Sequence, residues 1–261
     1  MNTDYFSAIA PIIAKIQATQ GPVIAEAGAM LGEVMAGGRL VHLFGSGHSV
    51  IPVLDVFPRY GSFAGFHPLM DPRLMWSNVL GPGGVKELLW LERREGYARI
   101  ILESQPVSAG DAMVVYSHGG MNAVPVEMAQ ECRGRGLKVV AVTCLANRPK
   151  LAENADLVID NCVPPEDSLV SIDGWPYKVS AGSTAAAIVI SMALVAEVAG
   201  ELSRRGLKPG VFVSPNVAGV APDHNLRVFE EYDRALRKEQ PAEGRRQQAE
   251  GGRRKAVGRR Q

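Results

Sequence analysis

Two apolar runs in this chain break off into glycines and hydroxyls, and a helix-like segment follows each. The first, Val41-His42-Leu43-Phe44, ends in Gly45-Ser46-Gly47-His48-Ser49. The second, Met113-Val114-Val115-Tyr116, ends in Ser117-His118-Gly119-Gly120-Met121-Asn122, with a helix starting near Pro125. Strand, Gly/Ser turn and helix together build an anion pocket. Glycine lets the backbone approach a ligand closely, and the N–H groups at the helix start face it with the positive end of the macrodipole. Neither loop is a nucleotide signature. Val50 stands where the third glycine of a dinucleotide fingerprint belongs, and no Gly-Lys-Ser/Thr ending occurs. Either loop alone also serves as a plain structural turn, so the evidence lies in the pair.

The surrounding pattern alternates strand and helix. Residues 3–36 read as two amphipathic helices, with Phe6, Ile9, Ile12, Ile13 and Ile16 on one face and Ile24, Ala27, Leu31 and Val34 on the next. Gln20-Gly21-Pro22 separates them, and Pro22 suits a helix start. Strand one is placed at Leu40–Phe44, with a helix over Ser49–Phe57 and a short strand at Ser62–Ala64. Residues 66–82 form an irregular stretch, and a helix resumes over Val85–Glu103. Strands follow at Met113–Tyr116, Lys138–Thr143 and Leu157–Asp160, with a second irregular stretch at 161–182. A long apolar helix starts at Ser183 or Thr184 and reaches Arg204, and a last one spans Asn225–Arg237.

This alternation predicts a three-layer, doubly wound α/β fold with a mostly parallel five-stranded sheet in the order 2-1-3-4-5. The domain spans residues 1–237: a helical pair at 3–36, an α/β core at 38–206, and a C-terminal loop and helix at 207–237. In that order strands one and three are neighbours whose connections leave in opposite directions. Their carboxyl ends flank the crevice where such sheets bind ligands. The two loops should therefore share one pocket, although 68 positions separate Ser49 from Ser117.

Charge narrows the ligand. Residues 238–261 carry 8 basic and 3 acidic groups and read as a disordered, basic, solubilising tail. The rest carries 20 basic and 24 acidic groups, which gives no support for a nucleic-acid groove. The odd cysteine count (Cys132, Cys144, Cys162), without metal-ligand spacing, fits core thiols in a reducing compartment. No signal segment is read at the start. The apolar region Ala185–Ala199 is too short and Ser-interrupted for a membrane span, so a cytoplasmic location is expected. The loops offer Ser46, Ser49, Ser117 and Asn122 with backbone N–H groups, and no Lys or Arg. That suits a phosphate held by neutral donors and helix dipoles. Ser183-Thr184 either closes the same pocket or caps its own helix.

At these residues the chain resembles the sugar isomerase (SIS) domain family. In that family a first-strand Gly-Ser-Gly-type loop and a third-strand Ser-x-Ser-Gly-x-Thr/Asn loop bind the phosphate of a phosphosugar. The N-terminal helices are similar to those of phosphoheptose isomerase. Asn122-Ala123-Val124-Pro125, Asp160-Asn161-Cys162-Val163-Pro164 and Glu95-Gly96-Tyr97-Ala98 resemble a bacterial group related to that enzyme. The resemblance implies that Gly45, Ser46, Gly47, His48, Ser49, Ser117, His118, Gly119, Gly120, Asn122, Ser183 and Thr184 hold the phosphosugar. One departure is Gly119, where the family pattern has a phosphate-binding Ser; His118 is a possible compensation.

Aldose–ketose isomerisation needs a base to move a proton between C1 and C2. The resemblance points to Asp55 in the helix after the first loop, His67 in the irregular stretch after strand two, and His224 before the last helix. Each has a bland alternative: an exposed helix carboxylate, a structural loop histidine, a helix-capping histidine. Glu103 and Glu127 are further carboxylates, with Glu127 placed to favour a helix dipole, and His42 reads as a core or interface histidine. His48, His67 and His118 lack diagnostic metal spacing. No metal or cofactor is expected. The resulting expectation is an aldose–ketose (or amino-sugar) phosphate isomerase using enediol-type proton transfer, in a homodimer or tetramer. The alternatives are a non-catalytic phosphosugar sensor and a sugar-phosphate lyase or etherase.

Overall fold

The computed structural model describes residues 4–75 and 79–237. The basic tail assigned to 238–261 lies outside them. A five-stranded, all-parallel sheet runs in the order β2-β1-β3-β4-β5. Its strands are β1 Val41–Gly45, β2 Phe66–Leu69, β3 Ala112–Tyr116, β4 Lys138–Thr143 and β5 Leu157–Asp160. Successive residues of the central strands face opposite layers. Val114 and Tyr116 join the core under α1 (Tyr5–Ala36), α6 (Ser183–Arg204) and α7 (His224–Leu236). Met113 and Val115 join the core under α3 (Val85–Leu91), α4 (Tyr97–Glu103) and α5 (Ala123–Gly134).

Three elements depart from the sequence reading. The N-terminal pair is one helix, α1, running through Pro11 and Pro22. Its length is sustained by packing along α6. A Cβ on Gly28 would lie 2.3 Å from Cβ of Glu197, and one on Gly32 would lie 2.6 Å from Cγ of Glu201. The two backbones approach so closely that the lost hydrogen bonds at proline are offset by tertiary contact. Secondly, β2 is not at 62–64 but at Phe66–Leu69. Pro68 sits within it, which only an edge strand tolerates. Thirdly, the single helix read over 85–103 is broken into α3 and α4. Gly96 takes φ +81°, and both carboxylate oxygens of Glu127 accept its N–H, at 3.0 and 2.8 Å. Glu127 is thus committed to this turn.

The irregular stretch 161–182 contains an antiparallel hairpin of β6 (Ser168–Val170) and β7 (Val179–Ala181). The helix α2 spans Val50–Val56. With 22 residues, α6 has the length and apolar composition of a membrane span. Here Ala186, Ile190, Leu194, Val198 and Leu202 along it are buried in the domain core.

Candidate functional site

The first loop turns sharply because Gly45 allows it: a Cβ there would lie 2.0 Å from the carbonyl oxygen of Ser49. Gly47 adopts φ +59°, and a 3-10 turn over Gly47–Ser49 leads into α2. The second loop closes on itself when Gly120 N–H donates to Oγ of Ser117 at 3.1 Å. Gly120 has φ +60°, and a Cβ there would meet Cβ of Pro149 at 2.3 Å. Gly119 by contrast faces open space. Asn122 precedes α5 in extended conformation, with no side-chain bond to the helix.

A narrow crevice at the carboxyl ends of the strands joins the pieces that sequence placed far apart. Ser49, Ser117, His118, Ser183 and Thr184 all line it, over a floor of Tyr116 and Val142. His118 is held firmly. Its Nε2 donates to the Pro165 carbonyl at 3.3 Å, and its Nδ1 accepts from Nδ2 of Asn161 at 3.0 Å. This pairing sets Nε2 as the donor and Nδ1 as the acceptor. Asn161 is itself buried, and its Oδ1 accepts from Val163 N–H at 3.1 Å. The Tyr116 hydroxyl is hydrogen-bonded to Oγ of Ser191 at 2.9 Å, and burial pushes its pKa up to about 12.

The hydroxyls differ in what they can offer, because each has one hydrogen. Ser46 donates to Oε2 of Glu92 at 3.2 Å. Ser183 donates to Oδ2 of Asp167 at 2.9 Å. Ser117 accepts from Gly120 and so keeps its hydrogen. Ser117 and Ser49 are therefore the loop hydroxyls best placed to donate to an anion.

Glu92 closes α3 and reaches the first loop from the side opposite α6. It is 7% exposed. Burial raises its pKa, against smaller opposing effects of the Ser46 bond and the Arg93 charge. Its backbone carbonyl accepts from Val124 N–H at 3.0 Å, tying it to the start of α5. Sequence reading passed over Glu92 because it sat inside an apparently continuous helix. The available signal was Gly96, four residues on. Asn161 lies in the 160–164 run already marked by the resemblance. Asp167 lay in the stretch read as irregular.

The three residues assigned to catalysis are not brought to this crevice. Asp55 is ion-paired with Arg59 one helical turn on. His224 lies at the start of α7, with Nε2 2.7 Å from the Val211 carbonyl oxygen. His67 belongs to β2 instead of a loop. Its Nδ1 is 2.6 Å from the Tyr232 hydroxyl, and its ring stands edge-on to His42 at 5.2 Å. Burial lowers the His67 pKa to about 4, with the His42 charge adding to the effect. His42 in turn bonds Asp111 at 3.1 Å, with both side chains buried. Burial works to raise the Asp111 carboxyl, but the bonds from His42, Ser108 and Leu40 prevail and lower it. This chain of groups ties α7 to the sheet three positions before the crevice end of β1. Glu103 is paired with Arg99 on an exposed helix face. Among the described residues, no cluster of three His, Cys, Asp or Glu could hold a metal ion.

The fold and loops define a doubly wound α/β domain with a hydroxyl-lined crevice at its topological switch point. The sequence model of the SIS domain matches residues 4–144, and the chain belongs to that family. It is 33% identical over 239 residues to a UPF0309 protein of Oceanobacillus iheyensis, covering 88% of this chain and 95% of that one. A UPF0309 protein of Caldanaerobacter subterraneus is 32% identical over 246 residues, covering 89% and 98%. Among solved structures, phosphoheptose isomerase GmhA from Neisseria gonorrhoeae superposes with a TM-score of 0.52 at 15% identity, covering 75% of this chain and 95% of that one. That likeness bears on the fold.

Proposed function

We propose that this chain binds a phosphosugar in the crevice and interconverts its aldose and ketose forms through an enediol, with Glu92 as the base. The observation that carries the reading is the desolvated Glu92 carboxylate on Ser46 of the Gly/Ser loop. A carboxylate with a raised pKa is a better proton acceptor at neutral pH than an exposed one. The phosphate takes the hydroxyls of Ser49 and Ser117, with the N–H groups at the start of α2. Thr184 lines the same crevice and adds a third hydroxyl.

In this scheme Glu92 removes the proton from C2 of the open-chain aldose while solvent water protonates the carbonyl oxygen at C1. The enediol then gives its O2 proton back to water as Glu92 returns the carbon proton to C1. No electrons are lost overall. Glu92 takes in this scheme the role the resemblance gave to Asp55, His67 and His224; like them it lies outside the crevice lining, but its carboxylate accepts from Ser46 of the first loop.

A cytoplasmic location accords with the three unpaired thiols. A homo-oligomer accords with the exposed apolar side chains Ile51 and Leu54 on α2, and Leu226 and Phe229 on α7. The test is deuterium exchange at C2 of bound sugar phosphates in heavy water. Exchange supports the isomerase. Binding with no exchange favours the sensor.

A further inference from the structure

The crevice has free space of about 10 Å³, which is room for one water molecule. Small-molecule sites run to about 300–1,000 Å³. Part of the wall must therefore move to admit a sugar phosphate. The hairpin segment 164–182 is placed to do so. Val170 is buried, but residues 173–178 are all exposed, so little packing opposes a local opening. Asp167 and Ser180, at its two roots, both take φ +64°, which is strained for residues with a Cβ. Asp167 accepts from Ser183 N–H at 2.7 Å, so a shift of the segment is passed to the Ser183 wall of the crevice.

Tyr5 of α1 holds the segment at one end, donating to the Ala181 carbonyl at 2.9 Å. His118 holds the other end, with Nε2 on the Pro165 carbonyl at 3.3 Å, which is long for such a bond. Pro165 is exposed, so water can replace the donor there at little cost. The opposite side of the ring is fixed from the interior. Asn161 is 2% exposed, and its Oδ1 accepts from Val163 N–H at 3.1 Å. That turns its Nδ2 towards Nδ1 of His118, at 3.0 Å, and leaves Nε2 as the donor. The His118 carbonyl accepts from Cys144 N–H at 3.1 Å, which anchors the backbone below the ring.

We propose that Asn161 is a positioning residue: it keeps Nε2 of His118 as a donor, and a phosphate entering the crevice takes that N–H from the Pro165 carbonyl, freeing the Pro165 end of the segment to make room for the sugar. The exchange favours the phosphate because its bond is charge-assisted and the carbonyl's is not. The ring N–H then stands in for the hydroxyl that Gly119 lacks. This rests on the phosphosugar reading and adds to it the group that couples phosphate binding to opening.

The experiment uses the full chain, with inorganic phosphate and fructose 6-phosphate as probes. Nitrogen NMR of the His118 ring should show hydrogen on Nε2 before a probe is added, and a shift of that resonance when one binds. Hydrogen on Nδ1 alone overturns the proposal. Amide exchange across 164–182 should quicken by about threefold or more when fructose 6-phosphate binds, while β3 keeps its rate. Unchanged or slower exchange in the segment overturns the coupling.

Asn161→Ser keeps a hydroxyl acceptor for Val163 N–H but is too short to reach His118. It should weaken fructose 6-phosphate binding about fivefold. His118→Gln carries an amide N–H in place of the ring donor and needs no neighbour to fix it. In the His118→Gln background, Asn161→Ser should change affinity by less than about twofold. A merely structural Asn161 would cost the same in both backgrounds, which overturns the proposal. If Asn161→Ser folds poorly, the ring spectrum and the exchange of the unaltered chain still decide. If the probes bind with neither signature, only this inference falls. If neither probe binds, the phosphosugar reading falls with it.

Discussion

The Ser46 hydroxyl donates to Oε2 of Glu92 at 3.2 Å, joining a buried carboxylate on the α3 side to the Gly/Ser loop that ends β1. Glu92→Gln keeps the shape and an acceptor for Ser46 but abolishes the base. Deuterium exchange at C2 should fall by about 10²–10⁴-fold, with sugar-phosphate affinity changed only a few-fold. Exchange at the wild-type rate would remove Glu92 from the chemistry. Stability should move the other way. The folded pKa of Glu92 lies above its unfolded value, so its contribution is present at low pH and lost as pH rises through the folded pKa. At neutral pH the Gln variant should melt no lower than the wild type.

Gly119 has open space where a Cβ would stand. Gly119→Ser should therefore fit without strain and restore a hydroxyl donor to the second loop. One ordinary hydrogen bond contributes roughly 0.5–1.5 kcal/mol, so affinity should rise by about two- to twelvefold. Titration of the variant with the same sugar phosphate measures this. Unchanged or weaker binding would mean that the phosphate does not face position 119.

Gly45 and Gly120 are the opposite case. An alanine methyl would fall 2.0 Å from the Ser49 carbonyl oxygen or 2.3 Å from Cβ of Pro149. Either Gly→Ala change should lower stability by about 1–3 kcal/mol through overpacking and strain, and displace its loop. Loss of binding together with a lower melting temperature is the expected result. Full binding by Gly45→Ala would show that the tight turn is dispensable.

His67 is half-buried, and its pKa is lowered to about 4, first by burial. The unfolded value is about 6.5, so between these limits the unfolded chain binds the extra proton. Stability from this group is full above about pH 6.5 and is lost as pH falls towards 4. Glu92 acts in the opposite sense, so the informative quantity is a difference between variants. In His67→Asn the drop in melting temperature between pH 6.5 and 4 should be smaller than in the wild type. An identical drop would exclude His67 as its source.

Much of the frame was legible from the sequence because it rests on local signals. The apolar and β-branched runs at 113–116 and 139–142 read as buried strands, and the Gly/Ser endings marked which strand ends meet. The strand order then joined Ser49 to Ser117. What escaped rests on tertiary contact. Nothing local tells that α1 continues through Pro22, because Gly28 and Gly32 act against α6. His67-Pro68 read as loop because a proline is tolerated only where the sheet ends, and the edge was not known. Glu92 and Asp167 escaped for the same reason: each acts on a hydroxyl far along the chain, Ser46 in one case and Ser183 in the other.

The most direct measurement incubates the full chain with a set of sugar 6-phosphates in heavy water and follows deuterium at C2, with the unphosphorylated sugars beside them. The account predicts deuterium incorporation with a phosphorylated sugar, none with its unphosphorylated counterpart, and loss of incorporation in Glu92→Gln. Binding of sugar phosphates with no incorporation in the wild type would contradict the isomerase and leave the domain a binding module.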